Sequence, residues 1–564
     1  MKAKCFSALG LVVASVLLMA PGTVAQDPPE GRELLFRNLE QLAKRFPEER
    51  RRFLSSGALN IIHLAERQER FRKEPGGPPE REELTHGRIQ PLGPAPAGFV
   101  SDPSSDFILS RLAGFTQSET STAWCGSRVV VGFNDSGSLL ETLPLPFALS
   151  FNGVARSNNM GASFVDLGFL SGGPNFFDML AGDPVVVCAD PNRFFYSSLF
   201  ETFIPPATFG SAISVSRSFN GGLTWGFAPI VAVSKNGLTH FLDKEWMAID
   251  STNTNRLYVT YTDFDDSGLI CGTSPTGDPI PRTAIELVRS TNGGTTWSAP
   301  LVIDEVCGNA PIVQGSQVAV GPAGEVYVAW ERYVPNFVTR SIQIKKSVNN
   351  GVSFGSAVKV DDVTCIGGCF TVRAGFRAFL DLQSLAVDRS GTASNGHVYV
   401  AWHDGRNLLQ PDLLSNIGFY GFGDVLVSRS TNGGMTWSAP VRVNSNVEPL
   451  PSGEGSDQFM PGIAVDKDGD LGMCWYDRRR DAQNYFVDRW CATSTNGGST
   501  WSGVGKTLRP FPPIHATDDV INPVYMGDYD TLVSDFTKAN GGFIGAFQFI
   551  TNRGNPDVKT NRLH

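Results

Sequence analysis

Ser290 to Pro300 reads STNGGTTWSAP, and Ser430 to Pro440 reads STNGGMTWSAP, a difference of one position in eleven. A chain that writes one turn twice carries an internal repeat, and a repeat decides the fold ahead of any local reading. The frame recurs as SNNMGASF from Ser157, SFNGGLTW from Ser218, SVNNGVSF from Ser347 and STNGGSTW from Ser494. The shared pattern is Ser-x-Asn-x-Gly-x-Ser/Thr-aromatic. The Asn side chain bonds nearby backbone and tolerates left-handed geometry. Gly supplies positive φ, and the aromatic packs beneath the turn. Each copy is a hairpin turn with an anchor, so Trp225, Trp297, Trp437 and Trp501 are expected to be buried at the rim of one face.

A second motif alternates with this box. It pairs two β-patterned runs, as in SQVAVGPAGEVYVAWER from Ser316, EWMAIDSTNTNRLYVTYTD from Glu245 and FMPGIAVDKDGDLGMCWYDRR from Phe459. Seven such pairs lie between Gln117 and the C-terminus, against six boxes. Each unit then reads strand, turn, strand, loop, strand, box, strand, which is a four-stranded antiparallel blade. The chain of 564 residues, with 60 Gly, 36 Pro and only 18% charged residues, suits such an array better than one ordinary core.

The boxes resemble the Asp-box, or BNR repeat, of the sialidase-like β-propellers, with Asn in the usual Asp place at all six sites. The resemblance implies an all-β propeller over residues 101–564. Seven blades are favoured, and six, the number usual in sialidases, is the runner-up. Few residues follow Phe549, so the last blade is expected to take its outer strand from residues 88–110. The resemblance also implies that the boxes lie on the face opposite the one used for catalysis in sialidases.

Residues 1–25 read as a secretory signal, with Lys2 and Lys4, an apolar run from Ala8 to Ala20, and small residues at Thr23 to Ala25. That run is short for a membrane span, so a secreted or periplasmic protein without a transmembrane segment is expected. Residues 26–100 form a helical appendage and a charged, Pro-rich linker. Leu35, Leu39, Leu42 and Phe46 share one helical face. A net charge of −9 without a basic stripe argues against nucleic acid. Eight Cys remain after the signal, an even count that favours disulfides. Cys365 and Cys369 close a small loop, and Cys474 and Cys491 fall on neighbouring antiparallel strands, where a bond is expected.

The face opposite the boxes gathers the starts of the inner strands and the loops after the second strands. The starts are acidic: Glu119, Asp183, Asp243 with Glu245, Asp457 and Asp528. The second strands end in an aromatic-x-Asp/Glu-x-Arg theme, which places Arg332, Arg406, Arg479, Asp404 and Asp477 as candidate substrate contacts with Asp457. Arginine beside carboxylates in a funnel suits an anionic sugar. By resemblance to sialidases, which attack with a Tyr, YDTL makes Tyr529 the candidate nucleophile; no acid/base Asp is assigned by motif, and Asp528, Asp183 and Glu245 are catalytic candidates by their place at the acidic strand starts. The Arg-Ile-Pro segment of sialidases is absent; GRIQP at Gly87 is a distant echo, and Gln548 stands where an acid is expected. DKDGDLG from Asp466 resembles a calcium loop but falls where Asp-Gly makes a hairpin turn. No cofactor motif, phosphate loop, HExxH or G-x-S-x-G occurs. Three functions are open: a non-catalytic binder of glycan or protein ligands, an exo-α-sialidase-type glycoside hydrolase, and a structural surface or periplasmic repeat protein.

Overall fold

The computed structural model describes residues 28–46, 48–51, 54–55, 58–63, 66, 98–100 and 116–563. Within that last span 143–146, 176, 205–207, 335–338, 370–371, 374–381, 413–414, 416, 450–453, 506, 508, 514–525 and 551–555 are excepted. The signal segment, the Pro-rich linker and Gly87 lie outside the described residues.

Seven antiparallel sheets follow one another along the chain, and each is a blade. Blade 1 is built from Gln117–Cys125, Arg128–Asp135, Asn152–Ser157 and Val165–Phe169. Blade 2 uses Val185–Cys188, Phe194–Ile204, Thr208–Ser218 and Ile230–Asn236, widened by two short strands at Leu149–Ser150 and Met179–Leu180. Blade 3 runs from His240 to Cys307, blade 4 from Ile312 to Thr364, blade 5 from Ser384 to Arg442 and blade 6 from Gln458 to Gly505. Blade 7 has three strands of its own, Leu532–Ser534, Phe543–Ile550 and Pro556–Leu563. Its outer edge is covered from the N-terminal side. Phe99 bridges Lys559, and the Val100 amide donates to the Val558 carbonyl at 2.9 Å. The ring therefore closes in blade 7, where residues 98–100 cover the edge of the C-terminal strand.

The boxes have one geometry in all six copies. In the copy at Ser290, the Gly294 amide donates to Ser290 Oγ at 2.9 Å and the Thr296 amide to Asn292 Oδ1 at 2.9 Å. The copies at Ser157, Ser218, Ser347, Ser430 and Ser494 repeat both bonds. The residue after the Asn takes positive φ even where it is not glycine, at Met160 and Asn350. The box tryptophans are half-buried rather than buried. The fully buried tryptophans are Trp330, Trp402 and Trp475 on the second strands. The difference is positional: a box closes the outer rim of a blade, whereas a second strand is covered by blades on both sides.

Four disulfides are present among the described residues. Cys365–Cys369 and Cys474–Cys491 join as expected, the latter directly opposite in register. Cys125–Cys188 ties the inner strands of blades 1 and 2, and Cys271–Cys307 lies in blade 3. Four such bonds fit an oxidising, extracellular setting. No described helix is long and apolar enough to cross a membrane.

The N-terminal helix Pro28–Arg45 places Leu39, Leu42 and Ala43, with Phe46 just beyond it, in one core cluster with residues of blades 1 to 5 and 7. Phe46 packs edge-on against Phe241 and Phe264 at 5.6 and 5.9 Å. Arg45 bonds the Gly237 carbonyl at 2.7 Å, and Arg45 and Arg50 both pair with Asp266. This segment thus sits on the face opposite the boxes.

Candidate functional site

The inner strands of blades 1, 3, 4 and 6 start with a bulge. The register slips between Ser118 and Ser121, Asp243 and Trp246, Gln314 and Gln317, and Phe459 and Gly462. The bulged residues Glu119, Lys244, Gly315 and Met460 have φ of 51°, 50°, 69° and 55°, and Asp183 in blade 2 has 54°. Non-glycine residues in this region are uncommon and cost energy. A bulge of this kind re-aims the side chain it carries, here Glu119, Lys244 and Met460.

Around the axis lie Glu119, Asp183, Asp243, Lys244 and Glu245, all buried. Asn134 Nδ2 donates to Glu119 Oε2 at 2.8 Å, and the Asp528 amide donates to Glu119 Oε1 at 2.7 Å. Lys244 Nζ lies 3.9 Å from Asp183 and 3.6 Å above the Tyr529 ring. Asp243 Oδ2 accepts the Ser55 amide of the N-terminal segment and Gln314 Nε2, both at 2.8 Å. Neither Glu245 oxygen has a hydrogen-bond partner among the described residues. Burial first, then mutual repulsion with Asp183, raises the carboxyls of Glu119 and Glu245 well above the usual range and Asp243 to about 7. Burial and crowding thus favour the protonated form of these three carboxyls relative to an exposed acid.

Tyr529 lies within this cluster, but its hydroxyl donates to the Pro184 carbonyl at 2.7 Å rather than to a carboxylate. Burial, then Glu119 and Asp183, pushes its ionisation well above the ordinary tyrosine value. Asp183, Glu245, Asp528 and Tyr529 are therefore brought together. The three arginines are elsewhere, one per blade. In blade 5, Trp402 Nε1 and Arg406 both donate to Asp404 Oδ2, at 2.9 and 2.6 Å, and Arg406 also reaches Asp361 on the outer strand of blade 4 at 2.9 Å. In blade 6, Trp475 and Arg479 donate to Asp477 Oδ2 at 2.8 and 2.7 Å, with Arg479 reaching Ser445 near blade 5. In blade 4, Trp330 and Arg332 converge on Asp304 of blade 3 at 3.0 and 2.9 Å. The recurring theme is an indole–carboxylate–guanidinium staple that ties blades 4, 5 and 6 each to the one before it.

Asp457 belongs to a different pattern, not read from the sequence. A buried tyrosine hydroxyl bonds a carboxylate beside an arginine at Tyr420–Asp457 with Arg478, Tyr476–Asp530 with Arg489, and Tyr261–Glu286 with Arg282. Tyr333–Glu331 with Arg340 is a fourth. Tyrosine with a carboxylate is the pairing a tyrosine nucleophile needs. Here it recurs in four places in the dry interior, where burial raises each hydroxyl above its ordinary value. His240, Asp263 and Asp265 bring ligand atoms within 4.8 Å of one another. Asp263 is already paired with Lys235 at 2.8 Å and Arg282 at 3.3 Å, which satisfies its charge without a metal. The Asp466 carboxylate accepts the amides of Asp468 and Asp470, so that loop holds its own turn.

Seven antiparallel blades in a ring, with six box turns of one geometry on one face, define a seven-bladed β-propeller. Among solved structures the chain is similar to an ulvan lyase, a polysaccharide lyase, at 10% identity and a TM-score of 0.44, covering 85% of this chain and 95% of that one. It is also similar to an α-L-arabinofuranosidase of Fusarium graminearum, at 10% identity, TM-score 0.40 and coverages of 67% and 91%. A Trypanosoma rangeli sialidase matches at 12% identity, TM-score 0.37 and coverages of 68% and 54%. No protein-family model and no curated protein matches the sequence.

Proposed function

We propose that the chain is an exported, non-catalytic propeller that binds glycan or protein ligands through loops on the face opposite the boxes. The observation that carries this reading is an exposed aromatic pair. Tyr485 and Phe486 are 39% and 43% exposed and lie edge to face at 5.2 Å on the loop after the second strand of blade 6. Asp481 accepts both of their amides, at 2.8 and 2.7 Å, so the rings are presented from a fixed turn. Arg478 links this loop to Arg373 through the Asn484 and Arg373 carbonyls, and Arg373 pairs with a partly exposed Glu454. Rigid aromatics beside a charged pair are what ligand hot spots use. What weighs against hydrolysis is that the Tyr529 hydroxyl and the three staple arginines all have other partners.

The test pairs a glycan array and a protein-capture screen with a fluorogenic sialoside assay on the mature protein. Binding is expected without turnover, and Tyr485→Ala with Phe486→Ala should weaken it at least about tenfold at unchanged stability. Robust sialoside turnover that disappears in Tyr529→Phe would replace this reading with the glycosidase.

A further inference from the structure

The innermost strands of all seven blades enclose a well along the ring axis. Its wide part, about 560 Å³, is bounded by the turns between first and second strands and so opens on the box face. A deeper compartment of about 180 Å³ shares wall residues with it and reaches Trp246, Leu382, Met460 and Tyr529 at the acidic end. The wall of the wide part is mostly apolar, with alanines and valines prominent. Ala123, Ala248, Ala319, Ala386 and Ala464 hold the same register position in five blades.

Four charged residues line the two compartments: Arg389, Asp528, Asp530 and Asp535. Asp535 accepts the amides of Gly126 and Thr537 and the Thr537 hydroxyl. Asp530 accepts from Thr120 and Tyr476, and Asp528 lies with the acids around Glu119. Arg389 differs. It leaves blade 5 and lies 4.4 Å over the Phe536 ring of blade 7, and no hydrogen bond or ion pair to it occurs among the described residues. The acid that influences it, Asp250 of blade 3, is held by Thr252 and Arg256. The neighbouring Asp388 accepts the Ser390 amide. A guanidinium at the mouth of an apolar well, without an acid of its own, is a seat for an anionic head group.

We propose that this well binds an amphipathic carboxylate, its apolar body against the alanine-lined wall and its carboxylate on Arg389. The volume lies within the range of small-molecule sites. The site is on the opposite face from Tyr485 and Phe486, so it stands or falls independently of the proposed binding loops.

Calorimetric titration of the full chain with octanoate, and with octylammonium as the same chain carrying the opposite charge, tests it. One octanoate per chain is expected, with octylammonium at least about tenfold weaker and Arg389→Leu losing at least about tenfold in octanoate affinity. Ala386→Phe, which fills the well, should abolish binding. If that variant fails to fold, Arg389→Leu decides alone. Equal binding of the two probes, unchanged affinity in Arg389→Leu, or no saturable heat up to about 10 mM overturns the proposal.

Discussion

Asp243 shows what the interior demands of single residues. It faces Asp183, Lys244 and Glu245 at the axis and accepts the Ser55 amide and Gln314 Nε2. Its carboxyl is raised to about 7, by burial and then by Asp183. The folded state therefore holds a proton that the unfolded chain releases near pH 4, and stability from this group falls as pH rises toward 7. Asp243→Asn keeps an acceptor for both donors and removes the titration. Relative to wild type, it should gain about 2–3 kcal/mol between pH 5 and pH 7.5, at roughly 1.4 kcal/mol per unit. Because the comparison is a difference, the opposing contribution of His403, lowered to about 4 by burial, cancels. Denaturant midpoints of both proteins across that range check the sign; parallel profiles would mean that Asp243 is ionised when folded. Tyr529 was legible as a residue of the axis, because YDTL begins an inner strand. Lys244 over its ring was not, because the bulge that aims Lys244 is a backbone property with no side-chain signature.

At the scale of elements, the repeats were readable because each blade must bury both faces of every strand and close the same outer turn. The box and the alternating strand pairs record that need directly. The aromatic-x-Asp/Glu-x-Arg theme was equally visible, yet its role was not. A staple and a sugar-binding arginine use the same residue types, and only the 2.6–2.9 Å contacts to Asp404 and Asp361 separate them. The burial contrast gives a prediction. Trp402 is wholly buried, with its indole on Asp404, whereas Trp297 is half-buried. Trp402→Ala should cost about 3–5 kcal/mol. Trp297→Ala should cost about 2 kcal/mol, because less surface returns to water. Chemical denaturation that ranks them the other way would make the boxes, and not the staples, the main stabilisers of the ring.

For the whole molecule, the question is whether the N-terminal segment is part of the ring's cooperative unit. Spacing revealed the apolar face of the helix, and Leu39, Leu42 and Phe46 are indeed buried. It did not reveal the docking site, because that depends on Phe241, Phe264 and Asp266, some two hundred residues away in the chain. The segment joins the propeller through one apolar cluster, the Arg45 and Arg50 pairs with Asp266, and the Ser55 amide on Asp243. The ring has its own closure, through residues 98–100 on blade 7. Two bodies held by separate contacts should open separately. Phe46→Ala removes the ring that meets both Phe241 and Phe264, a truncation worth about 3–5 kcal/mol. Hydrogen exchange at the Leu54, Ser55 and Leu59 amides, all bonded in the docked state, should accelerate sharply. The Gly294 and Gly434 amides, held inside the boxes on the far face, should keep their protection. If the box amides accelerate in step with Ser55, the appendage and the propeller unfold as one unit and the segment is a structural part of the ring.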